Sequence, residues 1–152
     1  MRGTYTIMVL CRKPICVRFG SLGRVRLRRG RYLYTGSALG RGAVSLEGRL
    51  RRHQNPSKKL RWHVDYLTSH PKCVFAGAVY VASDRRLECA VNRRIIRELK
   101  ATPIIPKIGA SDCRCEGHLL RPGVQISAAD LFTRLRSVYA KFGLPSEYLL
   151  DG

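Results

Sequence analysis

The sequence predicts an α+β fold, a small antiparallel β-sheet with helices packed on it. Three observations carry that expectation. Strand-like segments crowd the first 35 residues. Helical periodicities then alternate with one further buried strand. At 152 residues and 45% hydrophobic content, the chain can bury a core of ordinary domain size.

The elements follow in order. Thr4 to Arg12 reads as a strand filled on both faces by β-branched and apolar residues. Its stretch from Tyr5 to Cys11 is too short, and too poor in small residues at its end, for a signal peptide. Lys13-Pro14 marks a turn, and Ile15 to Phe19 is a short second strand. Gly20 to Gly23 is a loop. Arg24-Val25-Arg26-Leu27-Arg28 alternates as a half-exposed strand should. Gly30 is expected to close a hairpin into a strand from Arg31 to Thr35. Gly36 to Gly42 is a glycine-rich loop. A helix follows from about Ala43 to Gln54, with Leu46 and Leu50 inward, stopped by Asn55-Pro56-Ser57. Trp62 to Ser69 is a second helix, with Trp62 and Tyr66 one turn apart. Lys72 to Val81 is a buried strand, and Ser83-Asp84 caps a helix reaching Lys100. Residues 101 to 126, with Pro103, Pro106 and Pro122, show little periodicity. Ser127 with Asp130 resembles a capping box for a last helix to about Phe142. The expected organisation is one domain over 1–152, with 101–152 as a C-terminal extension packed on it.

Charge is the strongest compositional signal. There are 29 Lys and Arg against 10 Asp and Glu, a formal net charge of +19. Such self-repulsion is tolerable where a polyanion neutralises it. Arginine outnumbers lysine 22 to 7, and its planar fork matches phosphate oxygens in pairs. The alternative is an arginine bias set by genome composition or heat adaptation. The longest apolar run, Val74 to Ala82, is far too short to span a bilayer, and no basic amphipathic helix suggests a membrane surface. The expected partner is nucleic acid, DNA before RNA, with monomer and dimer both open. Six scattered cysteines do not form a secreted disulfide framework, so the expected compartment is the cytoplasm.

Four elements carry the chemistry. Gly3-Thr4-Tyr5 opens the first strand. Tyr32-Leu33-Tyr34-Thr35-Gly36 ends a later one. Arg49 and His53 are four apart on one helical face, beside the apolar stripe of Leu46 and Leu50. Glu88 stands near the start of a later helix, where capping is its ordinary role. Taken singly, each has a plain reading: Tyr5, Tyr32 and Tyr34 as strand aromatics, Arg49 as a solvated arginine, His53 as a helix C-terminal residue, and Glu88 as a partner of Arg85 or Asn92.

In this order the residues resemble the GIY-YIG nuclease superfamily. A closer resemblance spans nearly the whole chain. It runs through Gly30 to Ala38, Arg49 to His53, Trp62 to Leu67, Glu88-Cys89 and Ser111 to Leu119, and points to the GIY-YIG branch known as domain of unknown function 123. The resemblance implies an endonuclease that hydrolyses phosphodiester bonds in DNA, in repair or in processing of branched structures. It also implies one divalent ion, Mg2+ or Mn2+, held by Glu88. Tyr34 or Tyr5 would position or deprotonate the attacking water. Arg49 would stabilise charge on the phosphoryl oxygens, and His53 would assist or orient. Arg41, Arg51, Arg52, Lys58, Lys59, Arg61, Trp62 and His63 are the expected nucleic-acid contacts, Trp62 by base stacking. Threonine replaces isoleucine in both motifs, which keeps β-branching. A tyrosine pKa near 10 is too high for a base at neutral pH, so Arg49 and the metal are expected to lower it. With only ten carboxylates in the whole chain, one metal fits better than two.

A second constellation is Cys113-x-Cys115-x-x-His118 with Asp112. As a zinc site it needs a fourth ligand from Cys89, His63 or His70. The branch usually carries a cysteine where Ala110 stands, which argues against metal. A buried thiol cluster, or a wall of the active site, are the other readings. Two further functions remain in play: a non-catalytic nucleic-acid-binding module, and a structural subunit docking through its arginines on a larger nucleoprotein.

Overall fold

The computed structural model describes residues 1–105, 117–123, 126–143 and 146–150. It is an α+β structure built on a six-stranded antiparallel sheet. The strands are β1 (Gly3–Cys11), β4 (Gly30–Ala38), β5 (Cys73–Ala82), β6 (Thr102–Pro103), β7 (Leu119–Arg121) and β8 (Glu147–Leu150), in spatial order β6-β7-β4-β1-β5-β8. A separate two-stranded ribbon pairs β2 (Ile15–Arg18) with β3 (Arg24–Leu27). The helices are α1 (Leu46–Gln54), α2 (Asp65–Thr68), α3 (Glu88–Leu99) and α4 (Ala128–Ala140).

The central strand β1 is apolar on both faces because both faces are covered. Tyr5, Ile7, Val9 and Cys11 share one core with Leu46 and Leu50 of α1, Leu67 of α2, and Ile15, Val17 and Leu27 of the ribbon. Met8 points into the other core, with Val91, Ile95 and Leu99 of α3 and Leu131, Leu135 and Val138 of α4. Within that second layer the Thr6 hydroxyl lies 2.8 Å from both the Thr35 hydroxyl and the Tyr139 hydroxyl. Each buried oxygen thus has a partner, which ties α4 to the middle of the sheet.

Several expectations change. Gly30 closes no hairpin with the preceding strand: β3 pairs with β2, and Gly30 opens β4 opposite Cys11. β4 continues to Ala38, so Gly36 and Ser37 are strand residues rather than loop. α1 begins at Leu46, because the Ser45 side chain accepts the Gly48 N–H; a short 3-10 turn occupies Gly42–Val44. α2 is one turn long, because the Asp65 carboxylate takes the N–H groups of Arg61 and Trp62 and holds them in the turn before it. α3 begins at Glu88, since the Ser83 hydroxyl accepts the Arg85 N–H and makes a turn there, not a cap. Ser127 does cap α4, accepting from Asp130 N–H. Among the described residues beyond 100, β6 lies at one edge of the sheet and β8 at the other. No helix among the described residues is long and apolar enough to cross a membrane.

Gly77 marks a register shift between β1 and β5, at Met8/Val9. Its φ is +151°, and a methyl there would overlap the Phe132 ring and stand 2.5 Å from the Leu149 carbonyl oxygen. Gly77→Ala is therefore expected to cost about 2 kcal/mol in urea unfolding. A loss below about 0.5 kcal/mol, the ordinary surface range, would show that the bulge absorbs the methyl.

Candidate active site

The four expected elements meet at one end of β1 and β4. Register does the first part: Tyr5 lies opposite Gly36, and Ile7 opposite Tyr34. Alternation then turns Tyr5 and Tyr34 to the α1 side of the sheet. Gly36 is required by this approach. A Cβ there would stand 2.6 Å from the Tyr5 hydroxyl oxygen and 2.8 Å from Cζ.

Helix α1 lays His53 against both tyrosines. The Tyr5 hydroxyl and His53 Nε2 are 2.8 Å apart, and the Tyr34 and His53 rings meet edge-on at 5.9 Å. His53 is buried, and Nδ1 has no hydrogen-bond partner. Burial pushes its pKa down to about 3; Lys58 adds to this and Asp65 opposes it. The ring is neutral at any ordinary pH.

Arg49, one turn before His53, is half-buried and its Nε lacks a hydrogen-bond partner. Its guanidinium stacks over the Trp62 ring at 4.8 Å, and that of Arg52 does the same at 4.7 Å. Arg52 is also paired with Asp65, Nη2 to Oδ2 at 2.6 Å. Burial alone would raise the Asp65 pKa, but the N–H groups of Trp62 and Arg61 together with Arg52 hold it low.

Glu88 arrives from the other layer, on the first turn of α3. The Ser37 hydroxyl donates to Oε2 at 2.7 Å. His118 Nδ1 lies 2.8 Å from Oε1 and 3.1 Å from the Thr35 carbonyl oxygen. Both neighbours are acceptors, so Nδ1 carries the proton. Nε2 then faces Cys89 Sγ at 4.0 Å. Burial would raise the Glu88 pKa, yet the bonds from His118 and Ser37, with the charges of His118 and Arg49, hold the carboxyl below its usual value. Neither Arg85 nor Asn92 is its partner: Asn92 Nδ2 donates to the Gly117 carbonyl.

The cluster is therefore layered. Tyr5, 1% exposed, and His53 lie beneath, while Tyr34 is 9% exposed and the Glu88 side chain 26%. Arg49 acts on both phenols in the expected direction. Burial pushes the Tyr5 and Tyr34 phenols up, and Arg49 only partly opposes it. Glu88 raises both phenols further, which places its charge within reach of both.

Of the expected nucleic-acid contacts, Arg41, Arg51, Lys59 and Arg61 are exposed. Arg51, Arg52, Lys58 and Lys59 line one groove of about 640 Å3 beside α1. Lys58 Nζ donates to the carbonyls of Arg52 and His53 at the end of α1, and burial brings its pKa down to about 8. Trp62 and His63 are half-buried. Asp112, Cys113 and Cys115 lie outside the described residues. Of that run His118 is described, and it pairs with Glu88. Its pairing with Glu88, and the part of Ser37, went unread because neither has a local signal: 30 residues separate Glu88 from His118.

Could Glu88 hold a metal ion? Among the described residues no group of three His, Cys, Asp or Glu side chains converges to cage one. A partly exposed carboxylate, ionised well into acid, suits a hard ion that keeps most of its waters and takes further oxygens from a substrate. The donor set fits Mg2+ or Mn2+ in that form.

Comparison with known proteins gives one finding. The family model described as Domain of unknown function DUF123 matches residues 4–140. No curated protein and no solved structure matches the chain.

The buried neutral His53 has a consequence for stability. Its folded pKa lies below the unfolded value of about 6.5. Its contribution is thus complete above pH 6.5 and lost as pH falls from there toward 3. Thermal or urea unfolding should show stability falling by up to about 1.4 kcal/mol per pH unit in that window from this one group. His53→Gln should flatten this slope; an unchanged slope would place a protonatable His53 in the fold.

Proposed function

This chain belongs to the family described as Domain of unknown function DUF123, and we propose that it is a metal-dependent endonuclease of the GIY-YIG superfamily. Its proposed substrate is DNA, with branched or damaged structures as targets. The observation that carries the reading is the meeting of Tyr5, Tyr34, Arg49, His53 and Glu88 from four separate elements at one end of the sheet.

Phosphodiester hydrolysis needs in-line attack, neutralisation of charge developing on the phosphoryl oxygens, and help for the leaving oxygen. The Arg49 guanidinium, half-exposed and held by Trp62, is suited to the phosphoryl oxygens. Tyr34, only 9% exposed, would orient the attacking water or, with positive charge beside it, deprotonate it. Tyr5 and His53 set the position of Tyr34 and Arg49 from below. Glu88, oriented by His118 and Ser37, would hold one Mg2+ or Mn2+. A bound ion of this kind supplies positive charge to the transition state and a more acidic water. The groove of Arg51, Arg52, Lys58 and Lys59 would carry the adjoining phosphates, and Arg41, Arg61, Trp62 and His63 stand nearby in sequence.

One observation favours the second reading, a non-catalytic binding module for DNA or RNA: both oxygens of Glu88 already have protein partners. The two readings separate on metal. A nuclease cleaves labelled plasmid, flap or junction DNA with Mg2+ or Mn2+ and stops in EDTA. Glu88→Gln and Arg49→Ala should each slow cleavage by about 100-fold or more, with DNA affinity largely kept in Glu88→Gln. Tyr34→Phe should slow cleavage while leaving the fold intact. Binding that is tight, steeply salt-dependent and never followed by cleavage would decide for the module.

A further inference from the structure

The far end of the same strands holds a second basic feature. Leu10 of β1 pairs with Arg31 of β4, and alternation puts Arg12 and Arg29 on the same side. These three, with Arg121 of β7, line a cavity of about 950 Å3 floored by Leu10 and Leu131. Arg31 Nη1 donates to the Ile126 carbonyl oxygen at 3.3 Å, which fixes it just before α4. Ser127, the N-cap of that thirteen-residue helix, also lines the cavity. No carboxylate among the described residues pairs with any of the four guanidiniums, and none lines the cavity. Four like charges around one concavity raise the energy of the empty protein, and an anion carrying several charges relieves it. Forked guanidiniums select phosphate oxygens; the N-terminus of α4 adds nothing to this, because Ser127 caps it and Asp130 stands in its first turn.

We propose that this arginine-lined cavity is a second phosphate-backbone site, gripping the same nucleic acid well away from the Glu88 cluster. Arg12 directly follows β1, seven residues beyond Tyr5 and on the opposite face of the sheet, since Tyr5 packs with α1 whereas Leu10 and Arg12 border α4. The run along the strand alone is roughly 23 Å at 3.3 Å per residue, so a backbone that touches both sites passes round the sheet and is longer than roughly seven base pairs at 3.4 Å per step. The substrate is therefore a nucleic acid long enough to span both ends of the sheet. The inference rests on nucleic acid being the partner but not on cleavage, so binding in EDTA tests it whether or not the protein cuts.

The test is fluorescence anisotropy on a 20-base-pair duplex and on a hairpin with a six-base-pair stem, over a salt series. Arg29→Ala/Arg121→Ala should lower the log–log salt slope for the long duplex by about two, weakening binding by some tens of fold at 0.1 M salt. The short hairpin should bind both proteins alike. Arg29→Gln alone, at an exposed position, should lower the slope by about one and guards against misfolding of the double variant. An unchanged slope for the long duplex overturns the proposal. So does an equal loss on both probes, which would put the cavity on the path next to Glu88. Arginine-dependent thermal stabilisation by tripolyphosphate, with duplex binding unaffected, would mark a site for free anions and also overturn it.

Discussion

The Glu88 carboxylate is clasped at the end of β4, and the candidate site depends on that clasp. α3 and α1 lie on opposite sides of the sheet, so their polar residues can meet only past the strand ends. His118 makes the junction, its Nδ1 proton shared between Glu88 and the Thr35 carbonyl, while Ser37 takes the other carboxylate oxygen. A hydrogen bond to a charged group contributes about 1.5–3 kcal/mol and leaves a larger penalty when one partner is removed. The carboxylate is thus kept ionised and aimed, with about a quarter of its side chain still open to solvent.

Beneath it lies a dry layer with a different purpose. Tyr5 and His53 satisfy each other, and Gly36 gives up its side chain so that the Tyr5 ring can fit. The buried Nδ1 of His53 and Nε of Arg49 remain without partners. Unsatisfied buried groups cost stability, so both atoms are a local cost that the packing around them must offset. The same dryness raises the phenols.

Much of this was legible in the sequence where periodicity or a local cap carries the information. β1 and β5 read as buried strands because both are nearly continuous apolar runs. Leu46 and Leu50 identified the inner face of α1, and Ser127 with Asp130 the start of α4. The motif order brought Tyr5, Tyr34, Arg49, His53 and Glu88 into one list before any distance was known. What stayed hidden is tertiary. β6, β7 and β8 have two to four residues each and exist because a neighbour offers an edge, not because of any period of their own. The pairing of β3 with β2 instead of β4 is a choice between two nearby partners that alternation does not make. The direction of the tyrosine shift depends on burial set by α1, which a motif does not encode. Asp65 read as a helix residue and is one, but its side chain, by accepting two N–H groups and an arginine, also organises the turn before α2, which periodicity does not show.

In the proposed reading Glu88 presents its carboxylate to a divalent ion beside Arg49. A crystal grown with Mn2+ and a short non-hydrolysable oligonucleotide reads this most directly, through the anomalous signal of the metal. The expected result is one peak about 2.1 Å from a Glu88 oxygen, at Mg2+-like coordination distance, with a phosphate between it and the Arg49 guanidinium. A bound oligonucleotide whose phosphates avoid Arg49, with Mn2+ absent from a Glu88 still held by His118 and Ser37, would contradict it.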